Sequence, residues 1–294
     1  MKYILQMGLV FGLCMGTSVA FAQKTSTSTS PASSSFQKSE DSLLSAVDSM
    51  NRVAVLEERI EYCHTFVKRL SHLLKEPNSF QHPFTELSKK IHILYPEDRS
   101  FRILNWPVEY APARFRYYGA IQKADGTVYP LVDKSEAIEE KELLGLLDNK
   151  NWYGVEYYKI LSQKDASGKT VYFVFGVNHN NKNTSIKTLD ALSIQGNRVV
   201  FGGDYFNNGN KRFLIEYQKG AQVSLNYDTE KGMVVYNALE SEINQPLRKN
   251  TLVPNGELDG LKWSNYQWQL VRNLVPILKL KDGQAPINGV MPSN

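Results

Sequence analysis

Lys211-Arg-Phe-Leu-Ile-Glu-Tyr-Gln-Lys-Gly-Ala-Gln-Val-Ser-Leu-Asn-Tyr227 is the stretch whose reading decides the fold. Successive side chains of a strand point to opposite faces, so a period of two marks a half-buried strand. Phe213, Ile215 and Tyr217 share one face, while Leu214 and Glu216 share the other. Val223, Leu225 and Tyr227 share a face, and Ser224 and Asn226 point away from it. The odd-numbered sets are the expected core. Lys219-Gly220 between the two halves reads as a turn, so the pair reads as a hairpin.

The same pattern repeats outward in both directions. Ile91–Leu94 and Phe101–Trp106 flank a turn at Pro96-Glu-Asp98, and Arg114–Gln122 and Thr127–Val132 flank Asp125-Gly126, a strong hairpin dipeptide. Trp152–Leu161 and Thr170–Val177 surround Asp165–Gly168, and Ile186–Ile194 and Arg198–Phe201 surround Gln195-Gly-Asn197. Gly232–Asn237 follows Thr229-Glu-Lys231, and Gly260–Trp263 and Gln267–Val271 flank Ser264-Asn265. Glu140–Leu147 reads as a short helix between strands. About a dozen short strands joined by turn signals describe an antiparallel meander across residues 93–275. A closed propeller needs at least about four blades of four strands, more than this chain supplies, so a curved sheet or a sandwich fits better.

Upstream, the period changes from two to that of a helix. Val53, Leu56, Ile60, Cys63, Val67, Leu70 and Leu74 recur in steps of three and four, which puts them on one helical face. Leu43, Val47 and Met50 extend the stripe with a small slip in phase, so one long helix is expected, stopped by Pro77 and Asn78. A second, short helix is expected over Phe84–Lys90. Residues 39–92 thus form a helical segment, and the fold class is α+β. The stripe reads first as a face packed on its own chain, and alternatively as a homodimer seam through the 53–74 helix. In that second case Cys63 faces its copy.

Both termini read differently from the middle. Lys2, an apolar run from Tyr3 to Gly16 and Ala20-Phe21-Ala22 together form a cleavable signal peptide over residues 1–22, with Gln23 as the new N-terminus. The run is too short for a membrane-spanning helix. Leu13 before Cys14 argues against lipidation there. Residues 23–38 are a Ser/Thr-rich leader expected to be disordered, and residues 276–294 a flexible tail. The expected location is therefore the periplasm or the extracellular space. Export leaves Cys63 as the one cysteine of the mature chain, too few for an internal disulfide. The formal charge is only +4 with 34 basic and 30 acidic residues, which supports no nucleic-acid groove.

Chemistry-bearing motifs are sparse. No G-x-S-x-G elbow, H-E-x-x-H, C-x-x-C, P-loop or G-x-G-x-x-G occurs, so no catalytic residue, metal site or cofactor is assigned. His179 follows all other histidines and opens an Asn-rich run, Asn178-His-Asn-Asn-Lys-Asn183. That run offers oxygen ligands but no carboxylate, so it reads as a solvated turn and not as a Ca²⁺ loop. Trp152, Tyr153, Tyr157 and Tyr158 are the candidate ligand residues: a solvent-facing part of this cluster would stack on sugar rings or anchor a protein partner.

Asp98–Trp106, Trp152-Tyr-Gly154 with Tyr157-Tyr158, Phe175–Asn178, Arg212–Tyr217, Leu225–Asp228 and Leu258–Trp263 with Trp268 resemble, in this order, a family of exported, uncharacterised proteins of Bacteroidota-type bacteria. The resemblance covers about residues 84–271. It implies an exported β-rich domain and no established activity. Family members often carry an acidic residue where Asn178 and Asn255 stand here. The expected function is a non-catalytic binding or scaffolding module of the cell envelope, with a protein or glycan partner. The alternatives are a hydrolase of envelope polysaccharide or peptide and a glycan-binding protein. The hydrolase would need two facing carboxylates in a cleft, or a carboxylate beside His179.

Overall fold

The computed structural model describes residues 31–274 apart from residue 208, so the signal-peptide reading, residues 23–30 of the leader and the tail lie outside the described residues. The chain is mostly antiparallel β-sheet with few helices. Helix α1 spans Pro31–Arg52 and α2 spans Leu56–Leu73, so residues 31–38, expected in the leader, are helical. The single long helix expected from the stripe is two. The break at Val53–Val55 falls where the apolar stripe slips in phase. A straight helix would rotate the two halves of the stripe apart. Folding back lets Leu43, Val47 and Met50 pack against Cys63, Phe66 and Leu70 in one cluster. Arg69 Nη1 donates to the Ser42 carbonyl at 2.9 Å and ties the two helices side by side. Cys63 is fully buried in this cluster, so the stripe packs here on its own chain, the first of its two readings, and Cys63 does not face a copy as the alternative seam would have it. Phe84–Lys90 contributes only a 3₁₀ turn, at Leu87–Lys89.

Three antiparallel sheets follow in chain order. The first is a meander of β1 (His92–Leu94), β2 (Phe101–Ala111), β3 (Arg114–Lys123) and β4 (Val128–Val132). After the short helix α3 (Glu140–Leu143), the second holds β5 (Leu147–Asp148), β6 (Glu156–Lys164), β7 (Thr170–Asn178), β8 (Thr184–Gln195), β9 (Arg198–Phe201) and β10 (Arg212–Gln218). Strand β8 is long enough to pair β10 along its first half and β9 along its second. The third sheet is the meander β11 (Leu225–Asp228), β12 (Met233–Ser241), β13 (Leu252–Ser264) and β14 (Gln267–Val271).

The hairpin that decided the fold class is not a hairpin. Strand β10 pairs β8 and β11 pairs β12, so Lys219-Gly220 carries the chain from the second sheet to the third. The face assignment is nevertheless as expected: Ile215, Tyr217, Val223 and Leu225 are buried, with Phe213 and Tyr227 packed against the same cluster. In place of one continuous curved sheet or two-layer sandwich, the three sheets are stacked.

Alternation along the central strands places the layers. On β7, Val171, Phe173 and Phe175 pack toward the third sheet, while Val174 and Tyr172 pack toward the first. On β2, Phe101 and Ile103 face the second sheet, and Leu104, Trp106 and Val108 face the helices. The order is therefore helices, first sheet, second sheet, third sheet. Burial at about 25 cal/mol per Å² of apolar surface drives this stacking. Arg102 lies fully buried between helices and first sheet. Its guanidinium donates to Gln122 Oε1, to the Ser79 and His82 carbonyls and to Tyr95 Oη, so no donor cluster is orphaned.

Candidate functional site

The four aromatic residues singled out from sequence do not form a surface. Trp152, Tyr153 and Tyr157 are 1 %, 7 % and 1 % exposed. Tyr158 is half-buried against the cluster between the second and third sheets. The segment before β6 is no strand: Trp152 makes a single parallel bridge to Asp133 beside β4 while the chain passes from the first sheet to the second. A segment crossing between two layers is covered on both sides, which removes the exposed face that alternation would leave. Trp152 Nε1 donates to Tyr157 Oη at 2.9 Å, and Tyr158 Oη donates to the Leu225 carbonyl at 2.7 Å. Trp268 is fully buried as well.

Tyr153 differs from its neighbours. Its hydroxyl makes no hydrogen bond among the described residues, and the side chain lines a cavity of about 730 Å³. The walls come from separate parts of the chain. Pro112, Arg114, Phe115 and Tyr117 belong to the β2–β3 turn and β3, Ser135 and Glu136 follow β4, and Asn178 to Asn183 form the β7–β8 loop. Gly154 beside Tyr153 is required by the close approach: a Cβ there would lie 2.5 Å from both Asp133 Oδ1 and Tyr117 Cδ2. Such a contact would push Tyr117 off the cavity wall.

The Asn-rich loop is held by its own side chains, as the turn reading expects. Asn181 Oδ1 accepts from the backbone N–H groups of Asn183 and Thr184, and Asn178 Oδ1 accepts from that of Asn180, whose φ is 46°. Asn180 Nδ2 donates to Glu216 Oε1 at 3.1 Å and to Thr184 Oγ1 at 2.7 Å. Lys219, just after β10, donates from Nζ to the His179 carbonyl at 2.6 Å. The His179 backbone N–H donates to Tyr117 Oη at 2.6 Å, which fixes the loop to β3. Burial pushes the Tyr117 and Tyr153 hydroxyls well above the ordinary tyrosine range, so both are neutral.

A second feature adjoins the cavity. Glu156 at the start of β6 lies between two imidazoles: His92 Nε2 is 3.0 Å from Oε1, and His179 Nε2 is 3.5 Å from Oε2. A carboxylate only accepts, so each ring carries its proton on Nε2 when it makes this bond. Burial alone would raise the Glu156 pKa, but the His179 and His92 bonds and charges outweigh it and hold the carboxyl down at about 2. The His179 ring also packs on Phe115 with centroids 4.6 Å apart. Glu156 thereby braces the residue that connects the loop to the cavity wall. No hydroxyl or thiol bonds to either imidazole among the described residues, and no group of three or more His, Cys, Asp or Glu among them is arranged to hold a metal ion.

No family model, no curated protein and no solved structure matches the chain. Among the described residues, no helix is long and apolar enough to cross a membrane. Sequence reading names Tyr153 among the candidate ligand residues and takes the Asn-rich run for a solvated turn, and it does not name Phe115, Tyr117 or the Glu156 clamp. Phe115 and Tyr117 lie in β3, away from any loop motif, in a strand whose alternation is ordinary. Only the packing of β3 under the β7–β8 loop assigns them to the cavity.

Proposed function

We propose that this chain is an exported, non-catalytic binding module of the cell envelope, with its recognition site in the cavity between β3 and the β7–β8 loop. One observation carries the reading: the cavity is concave, polar and built beforehand. The β7–β8 loop is fastened to β3 through the His179 N–H and Tyr117 Oη and to the end of β10 through Lys219, and Asn181 closes the loop on itself. Asp133 accepts from the Tyr117 and Ser135 backbone N–H groups and so ties β3 to the segment after β4. Its size falls within the range of about 300–1,000 Å³ typical of small-molecule sites. A site that needs no ordering on binding keeps more of its interaction energy as affinity. The exported location rests on the leading apolar run and its A-x-A site, and the kinship on the family resemblance.

Two measurements test this. Mature protein isolated from the envelope begins at Gln23; full-length chain starting at Met1 in the cytosol overturns the export reading. Thermal melting of the mature protein with soluble fragments of envelope polysaccharide and peptide shows a stabilising ligand. That stabilisation disappears in Asn183→Trp, which fills the cavity from an exposed position. Equal stabilisation of both proteins overturns the site.

A hydrolase is the second reading, and the carboxylate 3.5 Å from His179 favours it. Glu156 would orient the His179 ring as a general base. Release of new reducing ends or amino groups from envelope material, abolished by Glu156→Gln, would establish this reading; no release by the wild type removes it.

A further inference from the structure

We infer that the cavity ligand is an uncharged sugar, a short stretch of neutral oligosaccharide; this rests on the binding-module reading and specifies its ligand. Two phenol hydroxyls on side chains more than nine-tenths buried line the cavity. Tyr153 Oη has no partner. Tyr117 Oη accepts the His179 N–H, and its own proton has no acceptor among the described residues. The Tyr153 hydroxyl is not sealed in the core but opens on the cavity, where a ligand group can take over the hydrogen bonds that solvent otherwise makes.

The wall opposite adds acceptors and donors of the same neutral kind. Asn180 donates its amide hydrogens inward to Glu216 and Thr184, which leaves its carbonyl oxygen unbonded. The Asn183 side chain makes no hydrogen bond at either end among the described residues. Pro112 and Phe115 supply apolar surface beside these groups. Each hydroxyl of a sugar both donates and accepts, while its ring carbons present apolar patches, and this lining complements both.

Charge gives an anion little to hold it. Arg114 stands 4.0 Å from Glu136, which offsets it, and the exposed Lys182 is the one further cation in the lining among the described residues. Glu216 and Asp133 act on Tyr153 from behind the wall. An anion would meet these carboxylates and neutral phenols where a phosphate site presents a surplus of N–H donors and cations. A peptide in extended form would need a free strand edge or apolar side-chain pockets. The edge of β4 nearest the cavity is already engaged: the Val132 N–H donates to the Asn149 carbonyl and the Trp152 N–H to the Val132 carbonyl.

Isothermal titration of the mature protein with cellobiose, chitobiose, maltose, digalacturonate and trialanine tests the assignment. Saturable binding of at least one neutral disaccharide is expected. Tyr153→Phe and Asn183→Ala should each weaken it about tenfold, the worth of one hydrogen bond, while Leu247→Ala, at an exposed loop, leaves it unchanged. Melting curves confirm that each variant is folded. Binding of digalacturonate or trialanine in place of the neutral sugars, still lost in Asn183→Trp, overturns the sugar assignment and leaves the module reading standing. Sugar binding that neither Tyr153→Phe nor Asn183→Ala changes also overturns it, by placing the sugar elsewhere. Absence of binding by all five probes overturns both.

Discussion

Tyr153 lies in the crossing segment and Tyr157, four residues on, at the start of β6; both are more than nine-tenths buried, and they do opposite things. The Tyr157 hydroxyl accepts from Trp152 Nε1 and is shut in the core between the first and second sheets. The Tyr153 hydroxyl meets no protein partner and opens on the cavity. Burial and residue type are the same for both, so neither identifies a site. What separates them is hydrogen-bonding capacity left unused at a wall.

Substitutions should break this contrast in order of size. Trp152→Ala removes the largest side chain of the crossing segment and should cost about 3–5 kcal/mol in urea unfolding, since the cavity left behind is too enclosed to collapse. Glu156→Gln should cost about 2–3 kcal/mol near neutral pH. The folded carboxyl titrates at about 2, below its value of 4.5 when free, so its contribution is complete above the free value and is lost as pH falls. The stability gap between wild type and variant should therefore shrink from pH 4.5 toward pH 2. A gap that stays constant across this range would show that Glu156 does not act as an ionised clamp. Tyr157→Phe should cost about 1–2 kcal/mol by orphaning the indole N–H, and Tyr153→Phe less than about 0.5 kcal/mol. Equal costs for these two, measured by chemical denaturation, would erase the distinction between core and cavity tyrosines.

Local signals carried much of this architecture. Asp125-Gly126, Asp165–Gly168, Gln195–Asn197, Thr229–Lys231 and Ser264-Asn265 each join two strands of one sheet, because the residues that close a tight turn are few and the strands beside them alternate. Lys219-Gly220 has the same signature and joins two sheets, because a turn dipeptide reports a change of direction and carries no information about the partner. The first half of β13 lies outside the expected strand Gly260–Trp263: Leu252–Pro254 pairs only with the end of β12, across a bulge near Asn237. For the helices, the slip between Met50 and Val53 was visible, but its meaning depends on a layer to fold against. The site was the least legible part. The Asn-rich loop could be named, whereas Tyr117, Phe115 and His92 reach it only through contacts between sheets far apart in the chain.

The second sheet has no face turned to solvent along β7. As the polypeptide emerges from its N-terminal end, the first sheet must wait with Phe101 and Ile103 uncovered until residues near 200 arrive, and Phe173 and Phe175 stay bare until Trp268 is made. Every unfinished length of this chain is therefore sticky, and a nascent copy released early is a substrate for chaperones or proteases long before it could meet a ligand.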